Sequence, residues 1–336
     1  MLISDHTIGN GEPPFIVAEI GANHGGNLDA AKRLIEAARG CGADAVKFQA
    51  YTADTITLDC RRDEFLIKDG PWQGYYLHDL YTRCATPFDW FPQLAAHAKE
   101  LGIIWFASVF DRSSVDMLEK LDCPAYKIAS FELVDLPLIK YAAATGKPMI
   151  LSTGMASEEE IDDALRAAGQ DVALLHCVSA YPTPIASANL ERMQKLHSYF
   201  PHVGISDHTI GNEVAIAATA LGACIIEKHL ALSRAVSVDA AFSLAPHEFR
   251  GMVTAVRSIF AALQPSTSDE EDAHRSLRRS LFAVRDIAAR EQFTNDNVRS
   301  IRPGNGMAPS ELPHIIGKHA AYAIARGTPL HMSMID

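Results

Sequence analysis

Residues 15–49 read FIVAEIGANHGGNLDAAKRLIEAARGCGADAVKFQ, and this stretch guides the interpretation of the rest of the chain. Two short apolar runs, 15–19 and 45–49, enclose an amphipathic segment at 28–39. Short continuous apolar runs are typical of parallel strands that are buried on both faces, and the segment between them has helical periodicity. The stretch therefore predicts one strand–helix–strand unit of a parallel sheet.

The same alternation continues to about residue 260. Further strands are predicted at 103–108, 125–129, 148–152, 173–177, 203–205 and 224–228, with helices such as 113–121, 157–168 and 213–221 between them. Ser157, followed three residues later by Glu160, has the pattern of a capping box. Eight strand–helix units in about 250 residues is the size of a (β/α)8 TIM barrel. A doubly wound open sheet is the main alternative, but no GxGxxG follows the first strand, which disfavours its dinucleotide-binding form.

Two segments depart from this alternation. The connection at 50–88 is long and contains Trp72, Tyr75 and Tyr76, and a loop of this length often covers a site. Residues 264–275 are polar and aperiodic, which predicts a linker between a barrel domain at 1–263 and a small domain at 276–336. In the small domain, short strands are predicted at 280–284, at Ile287 and at 298–301, with a turn at 303–306.

The composition limits the partners of the protein. The chain has 336 residues, 48% of them hydrophobic, and a net charge of −11, which argues against nucleic acid as the main partner. No apolar run reaches the ~20 residues that span a bilayer, and no signal peptide is evident, so we expect a cytoplasmic protein. The six cysteines form no CxxC pair and are expected to be free thiols. Residues 275–336 hold nine basic against five acidic residues, a balance of +4 that leaves −15 on the remainder.

Polar residues follow all eight predicted strands at the point where each strand ends. Barrel enzymes place their chemistry at that end, so the repetition predicts an active site there. The set comprises Glu19, Asn23, His24, Lys47, Gln49, Ser108, Lys127, Ser130, Glu132, Ser152, Thr153, His176, Ser179, Tyr181, Ser206, Asp207, His208, Glu227, Lys228 and His229.

The residue types in this set indicate two kinds of ligand. Two lysines together with several hydroxyl groups suit a phosphate or a carboxylate. His208 and His229, on neighbouring strands, suit one divalent cation, and imidazole ligands favour a transition-type ion over calcium. The octapeptide ISDHTIGN occurs at both 3–10 and 205–212, but only the second copy follows a barrel strand. We therefore assign a role to His208 and none to His6.

Seven segments of the chain resemble the sialic acid synthase family. They are FIVAEIGANH (15–24), GADAVKFQ (42–49), PAYKIAS (124–130), PMILSTGM (148–155), LLHC and YPTP (174–184), GISDHT (204–209) and IEKH (226–229). IRPGNG (301–306) resembles the antifreeze-like, or SAF, domain of the same family, a β-clip fold. The resemblance spans nearly the whole chain, in the expected order.

The resemblance implies a condensation of phosphoenolpyruvate with the aldehyde of an open-chain N-acetylated sugar, with release of phosphate. The positions that hold phosphoenolpyruvate are matched by Lys47, Ser108, Lys127, Ser130, Ser179 and Ser206. Ser179 stands where the family often has Asn, and Ser108 where some members have Thr. Glu19 matches a catalytic carboxylate. Tyr181 and Asp239 match sugar-contacting positions, and we also assign Gln49 and Glu132 to the sugar.

The resemblance also implies a metal and a dimer. His208 and His229 match the ligands of a catalytic divalent metal, usually Mn²⁺, with Mg²⁺ or Co²⁺ as alternatives. Arg302 matches an arginine that the small domain inserts into the barrel of the partner subunit in a domain-swapped homodimer, where it contacts the N-acetyl group. Such an arrangement would explain a basic tail on an acidic body.

Within the family, residues 51–59, 80–90 and 241–249 favour the pseudaminic acid synthase branch, although GANHGG at 21–26 is closer to the general form. The expected substrate is then 2,4-diacetamido-2,4,6-trideoxy-L-altrose. N-acetylmannosamine, for N-acetylneuraminate, and the legionaminate precursor are the alternatives. More distant alternatives are a barrel synthase for a phosphorylated sugar and a non-catalytic sugar-binding or ice-binding protein.

Overall fold

The computed structural model describes residues 1–9, 11–70, 72–233, 237–265 and 274–336. The chain divides into two compact units, Met1–Gln264 and Pro265–Asp336. Most of the predicted linker, 266–273, lies outside the described residues.

The first unit is built on a closed barrel of eight parallel strands, which confirms the predicted fold. The strands follow one another around the barrel in chain order, and the last one pairs with the first. Nearly every strand residue is buried, because one face of each strand meets the barrel interior and the other meets the helices. A short hairpin, β1 (Leu2–Ile3) and β2 (His6–Thr7), precedes the barrel strands β3 (Phe15–Glu19), β4 (Ala45–Ala50), β5 (Ile104–Val109), β6 (Tyr126–Ile128), β7 (Met149–Ser152), β8 (Val172–Cys177), β9 (Val203–Asp207) and β10 (Ile225–His229).

The helices of the first unit pack around this barrel with their apolar faces inward. Their ends are fixed by local capping. For example, the Ser157 hydroxyl accepts from the backbone N–H of Glu160, whose carboxylate accepts from the N–H of Ser157, the capping box predicted there. The helices are α1 (Leu28–Cys41), α2 (Ala53–Ile56), α3 (Leu77–Cys84), α4 (Phe91–Glu100), α5 (Arg112–Glu119), α6 (Leu136–Ala143), α7 (Glu158–Ala168), α8 (Leu190–His197), α9 (Glu213–Ala220) and α10 (Pro246–Leu263). None of the helices in the described ranges is long and apolar enough to cross a membrane.

Register between neighbouring strands positions the polar residues. Glu19 at the end of β3 is level with Lys47 on β4 and with His229 on β10. On the other side of β10, Glu227 is level with Ser206 on β9. Residues far apart in the chain are therefore adjacent at one end of the barrel.

Three details differ from the sequence predictions. Strand β9 continues through Asp207 rather than ending at Ile205, because its polar residues pair with β10. The connection at 50–88 contains two helices that were not predicted, α2 and α3. Ile287 lies in an isolated bridge to Ile324 rather than in a strand.

The two copies of the octapeptide occupy different environments. In the first copy, His6 lies in the hairpin and its ring packs 4.9 Å from that of Phe15, the first residue of β3. In the second copy, His208 follows the last residue of β9. The copies therefore lie at opposite ends of the barrel strands.

The second unit has a small core of its own. Strands β11 (Ser280–Ala283) and β12 (Val298–Ile301) pair in antiparallel fashion, and a short helix, α11 (Leu312–Ile315), follows them. The core includes Leu281, Phe293 and Leu330, which are fully buried.

Candidate active site

Two buried lysines lie inside the barrel, each against a carboxylate. Lys47 Nζ lies 2.9 Å from Glu19 Oε2 and 3.5 Å from Glu227 Oε1. Lys127 Nζ donates to both carboxylate oxygens of Glu227 at 3.2 Å. All four side chains are almost completely buried. The cluster therefore holds two positive and two negative charges, which balance before any ligand binds.

Burial and ion pairing oppose each other in this cluster. Burial alone would raise the pKa of Glu227, but Lys127 and Lys47 bring it down to about 2. Burial alone would lower the pKa of Lys47, but Glu19 and Glu227 raise it above its ordinary value. For Lys127, burial lowers the pKa and Glu227 offsets this only in part. An anion placed beside Lys127 would thus stabilise a charge that the protein compensates incompletely.

Hydrogen bonds extend the cluster to three further predicted residues. The Ser108 hydroxyl accepts from Lys47 Nζ at 3.0 Å. Ser206 donates to Glu227 Oε1 at 2.9 Å, and Gln49 Nε2 donates to Glu19 Oε1 at 2.8 Å. Each hydroxyl or amide holds a charged group in one orientation.

A second group of predicted residues forms a serine pocket, which we define as Ser130, Ser179 and the backbone of Gly154. The Ser130 hydroxyl accepts from the N–H of Gly154 at 3.1 Å. The Ser179 hydroxyl is buried and has no hydrogen-bond partner among the described residues. A Cβ at position 154 would lie 2.5 Å from Ser179 Oγ and 2.7 Å from Ser130 Oγ, so only glycine leaves this space open. Two converging hydroxyl groups, one of them without a partner, suit an anion.

The two predicted metal ligands are adjacent. The ring centroids of His208 and His229 lie 5.5 Å apart. His208 Nδ1 lies 3.2 Å from the carbonyl oxygen of Val178, which fixes a proton on that nitrogen when the ring is neutral. His229 Nδ1 is buried without a hydrogen-bond partner in the described part of the chain, and it lies 3.9 Å from Asp239 Oδ2. Burial, followed by the proximity of His208, lowers the pKa of His229 well below its ordinary value.

These observations fit a divalent cation. His229 is held as a neutral imidazole, the form that binds metals, and it has an unused buried nitrogen. His208 Nδ1 donates to the carbonyl oxygen of Val178, so its other nitrogen, Nε2, points away from Val178. Imidazoles that bind metals are commonly oriented by such a hydrogen bond from the nitrogen that does not bind the metal. No set of three or more His, Cys, Asp or Glu residues with metal-binding geometry occurs in the described ranges. A cation held by this pair would therefore need water or substrate for its remaining positions.

The loop at 21–24 holds the predicted sugar residue Asp239 beside the histidines. The backbone N–H of Ala22 donates to Asp239 Oδ2 at 2.8 Å. Gly21 has a φ of +49°, and a Cβ there would lie 2.5 Å from Asp239 Oδ2 and 3.1 Å from the His229 ring. Burial raises the pKa of Asp239 to about 6. Glycine at position 21 thus permits the close approach of a carboxyl group to His229.

Aromatic side chains enclose the histidine pair. The ring of Tyr181 lies 4.4 Å from that of His208, and the ring of Phe242 lies 4.9 Å from that of His229. Tyr181 and Phe242 are in turn 5.2 Å apart. The predicted sugar residue Tyr181 therefore forms one side of an aromatic wall next to the candidate metal site.

The remaining predicted residues are Glu132 and Arg302. Glu132 follows β6, and burial raises its pKa to about 7. Its Oε2 is buried and has no hydrogen-bond partner within the described residues. Arg302 directly follows β12 in the second unit and is exposed.

Not every polar residue at the strand ends belongs to this site. Lys228 Nζ donates to Asp207 Oδ2 and to the carbonyl oxygen of Thr209, both at 2.6 Å. Because successive side chains of a strand point to opposite faces, Lys228 lies on the other face of β10 from Glu227 and His229. The Lys228–Asp207 ion pair is therefore structural, on the helix side of the barrel.

Phe242 belongs to the site although the strand-end pattern did not include it, and Glu227, which the pattern did include, had been assigned to no ligand. Glu227 contacts Lys47, Lys127 and Ser206, three of the residues assigned to phosphoenolpyruvate. The alternation of β10 could have separated Glu227 from its neighbour Lys228, because Glu227 and His229 are two residues apart and must share a face. Phe242 lies in a turn outside the strands, and no periodic signal marks it.

Comparison with known families gives two matches along this chain. Residues 34–268 match the NeuB family, and residues 278–336 match the SAF domain. Together the two matches account for most of the chain.

Individual relatives are similar over almost their full length. A pseudaminic acid synthase of Helicobacter pylori is 41% identical over 335 residues, covering 97% of this chain and 98% of the relative. An N,N'-diacetyllegionaminic acid synthase of Campylobacter jejuni is 37% identical, covering 91% of this chain and 95% of the relative. The crystal structure of the N-acetylneuraminic acid synthetase of Leptospira borgpetersenii, in complex with citrate, aligns with a TM-score of 0.73 at 33% identity, covering 82% of this chain and 95% of that one.

Proposed function

Because the chain belongs to the NeuB family and ends in a SAF domain, we propose that it condenses phosphoenolpyruvate with 2,4-diacetamido-2,4,6-trideoxy-L-altrose and water, giving pseudaminic acid and phosphate. The observation on which this rests is the placement of the lysine–carboxylate cluster, the serine pocket and the histidine pair at one end of the barrel. The similarity to a pseudaminic acid synthase supports the choice of sugar.

Phosphoenolpyruvate is assigned to the lysines and serines. Burial lowers the pKa of Lys127 despite Glu227, so an added anion would stabilise its charge, and the Ser179 hydroxyl in the serine pocket has no partner among the described residues and can bind a phosphate or a carboxylate. Lys47 and Ser206 both contact Glu227 Oε1 and fix the position of this carboxylate. The two lysine side chains are therefore already in place before the ligand binds.

The charge balance of the cluster supports a divalent cation as a further component. The charges of Lys47 and Lys127 are already matched by Glu19 and Glu227, so a ligand with both a phosphate and a carboxylate brings excess negative charge. We assign the cation, Mn²⁺ with Mg²⁺ or Co²⁺ as alternatives, to His208 and His229. When bound, it would supply Lewis acidity for an aldehyde oxygen.

The proposed reaction forms one carbon–carbon bond and breaks one bond to phosphate. The methylene carbon of phosphoenolpyruvate attacks the aldehyde carbon, and the aldehyde oxygen gains a proton. Water adds to the carbon that bears the phosphate, and phosphate leaves as the carbonyl forms. Glu19 is fixed by Lys47 and Gln49, which suits a carboxylate that orients this water. Glu132 populates both protonation states near neutral pH, so it can accept from or donate to a sugar hydroxyl.

A panel of sugars tests this proposal. Purified protein with Mn²⁺ is given phosphoenolpyruvate and, in turn, the diacetamido-trideoxy-altrose, N-acetylmannosamine and the legionaminate precursor, and phosphate release is followed. We expect phosphate release only when a sugar is present, and fastest with the altrose. Fastest release with another sugar would replace the pseudaminate assignment with N-acetylneuraminate or legionaminate synthesis. No release with any of them would refute the synthase proposal, and binding without turnover would favour the non-catalytic alternative.

The proposal extends to a homodimer in which Arg302 reaches the sugar site of the partner subunit. Exposed apolar side chains on loops at the carboxyl ends of the barrel strands support a covering partner. Phe131, Met155, Ile185 and Ile210, which follow β6, β7, β8 and β9, are each more than half exposed. Exposed apolar groups gathered at one end of a fold are typical of an interaction surface.

Subunit mixing tests the role of Arg302. The Arg302→Ala variant is expected to raise the KM for the sugar and to leave the KM for phosphoenolpyruvate nearly unchanged. If Arg302 acts in the partner's site, mixing Arg302→Ala subunits with inactive Lys127→Met subunits should restore activity in the mixed dimers. Recovery would be absent if Arg302 acted within its own subunit or played no part.

A further inference from the structure

A small hairpin projects from the connection between β4 and α3. Leu66 and Tyr76 form an antiparallel bridge, and backbone hydrogen bonds join Ile67 to Tyr75 and Gly74 to Ile67 at 2.9 Å. We refer to the described residues of this segment, 66–70 and 72–76, as the 66–76 hairpin.

The base of the 66–76 hairpin is fixed to α3. The Arg61 guanidinium lies 4.8 Å from the centroid of the Tyr76 ring and pairs with Asp79 on α3. Arg83 donates to the Tyr75 hydroxyl at 2.9 Å. These contacts restrict where the tip of the hairpin can point.

Trp72, near the tip, reaches the aromatic wall of the site. Its ring lies 5.6 Å from that of Tyr181 and 6.3 Å from that of Phe242. Its Nε1–H donates to the carbonyl oxygen of Val238 at 3.4 Å, close to Asp239 in the chain. Trp72 thus connects the hairpin to the two aromatic residues that touch His208 and His229.

The surface that these rings present is almost entirely apolar. The only polar group of Trp72 is already engaged with Val238, and Phe242 has none. Of the three rings, Tyr181 alone contributes a hydroxyl group. A substrate carbon next to Trp72 and Phe242 is therefore better accommodated as a methyl group than as a hydroxymethyl group, whose oxygen would lose hydrogen bonds to water.

We infer that Trp72 is a specificity-determining residue that selects a sugar with a methyl group at its terminal carbon over one with a hydroxyl group there. This inference rests on the proposed function and identifies the part of the site that reads the 6-deoxy position. It predicts a modest preference, because an apolar wall rejects an added hydroxyl group by roughly 10- to 100-fold.

A matched pair of sugars tests it. The altrose substrate and its counterpart with a hydroxyl group at carbon 6 are compared by kcat/KM in the wild type, Trp72→Ala and Trp72→Phe. We expect the wild type to prefer the 6-deoxy sugar by roughly tenfold or more. Trp72→Ala should lose most of this preference, Trp72→Phe should retain much of it, and the KM for phosphoenolpyruvate should change in neither. Lys68→Ala, an exposed change in the same hairpin, is the matched control and should behave as the wild type.

The outcomes separate the two proposals. If the wild type turns over both sugars and Trp72→Ala keeps the same ratio of kcat/KM, the inference about Trp72 is wrong and the synthase proposal stands. A parallel fall of kcat/KM for both sugars would likewise overturn it, since it would indicate a general role of the hairpin. If the wild type releases phosphate with neither of the two sugars, the proposed function itself fails.

Discussion

Replacing Gly154 by alanine adds a single methyl group to the serine pocket. The backbone of Gly154 lies outside the left-handed region, so alanine introduces no backbone strain there. The new Cβ would lie 2.5 Å from Ser179 Oγ and 2.7 Å from Ser130 Oγ, whereas ordinary contact begins at 3.4 Å. The two hydroxyl groups must therefore withdraw by 0.9 and 0.7 Å, the differences between those distances.

A displacement of this size moves the two hydroxyl groups out of the positions from which they could donate hydrogen bonds to an anion. A hydrogen bond to a charged group contributes about 1.5–3 kcal/mol, so the loss of one or both is expected to weaken binding by about 3 kcal/mol. At about 1.4 kcal/mol per tenfold change, the KM for phosphoenolpyruvate should rise roughly 100-fold. The KM for the sugar should change little, because the sugar is assigned to other residues.

Initial rates of phosphate release at varied phosphoenolpyruvate and saturating sugar measure this effect, and calorimetric titration with phosphoenolpyruvate measures binding directly. Gly251→Ala is the matched control, because Gly251 lies inside α10 and a Cβ added there would meet no atom within 4 Å. It should leave both KM values unchanged and stabilise the fold by about 0.5–1 kcal/mol. A folded Gly154→Ala protein that binds phosphoenolpyruvate like the wild type, or that loses affinity equally for both substrates, would refute the assignment of the serine pocket.

Three further predictions concern the buried charges and the histidines. Glu227→Gln should lower the free energy of unfolding at pH 7 by about 3–5 kcal/mol, because it leaves a buried lysine unpaired. Because the pKa of Glu227 is lowered from 4.5 to about 2, its contribution to the free energy of unfolding is present above pH 4.5 and is lost as the pH falls toward 2. The denaturation curves of wild type and variant should therefore converge in acid. A difference in unfolding free energy that stays constant with pH would contradict this. Lys228→Met should be similarly destabilising, whereas the enzyme kinetics measured at low temperature should change little. The double variant Lys228→Met, Asp207→Leu should recover much of the lost stability. No recovery would argue against a structural ion pair. His208→Ala should abolish Mn²⁺ binding, measured by titration of the free ion, whereas His6→Ala should not, and equal effects would refute our assignment of the repeated octapeptide.

The sequence predicted the barrel well because its strands have a simple physical signal. A strand buried on both faces is apolar throughout, so the predicted barrel strands agree with the observed ones to within one residue at each end, except for β9. The exception at β9 is instructive. Ser206 and Asp207 are polar yet lie within the strand, because Glu227 and Lys228 on β10 satisfy them. Hydropathy along one strand does not report such a partner.

The sequence predicted which residues form the candidate site better than it predicted the contacts between them. The strand-end pattern named Lys47, Lys127, His208 and His229, and the structure brings them to one end of the barrel. The pattern did not indicate which carboxylate each lysine would pair with. The sequence named the connection that contains Trp72 as a segment that covers a site, but it did not predict that Trp72 would contact Tyr181 and Phe242, since residues in turns and hairpins have no periodicity that predicts where they point.

By itself, the sequence determined the barrel, the end of the strands at which polar residues gather, and the family. Only the tertiary structure decided which of those polar residues act together. Lys127 and Lys228 are both buried lysines on barrel strands, yet Lys127 pairs with Glu227, 100 residues away, while Lys228 pairs with Asp207 on the opposite face of its sheet. The face of each side chain is set by the alternation of its strand, and its partner is set by the register of the closed barrel, a relation between distant segments that no local pattern contains.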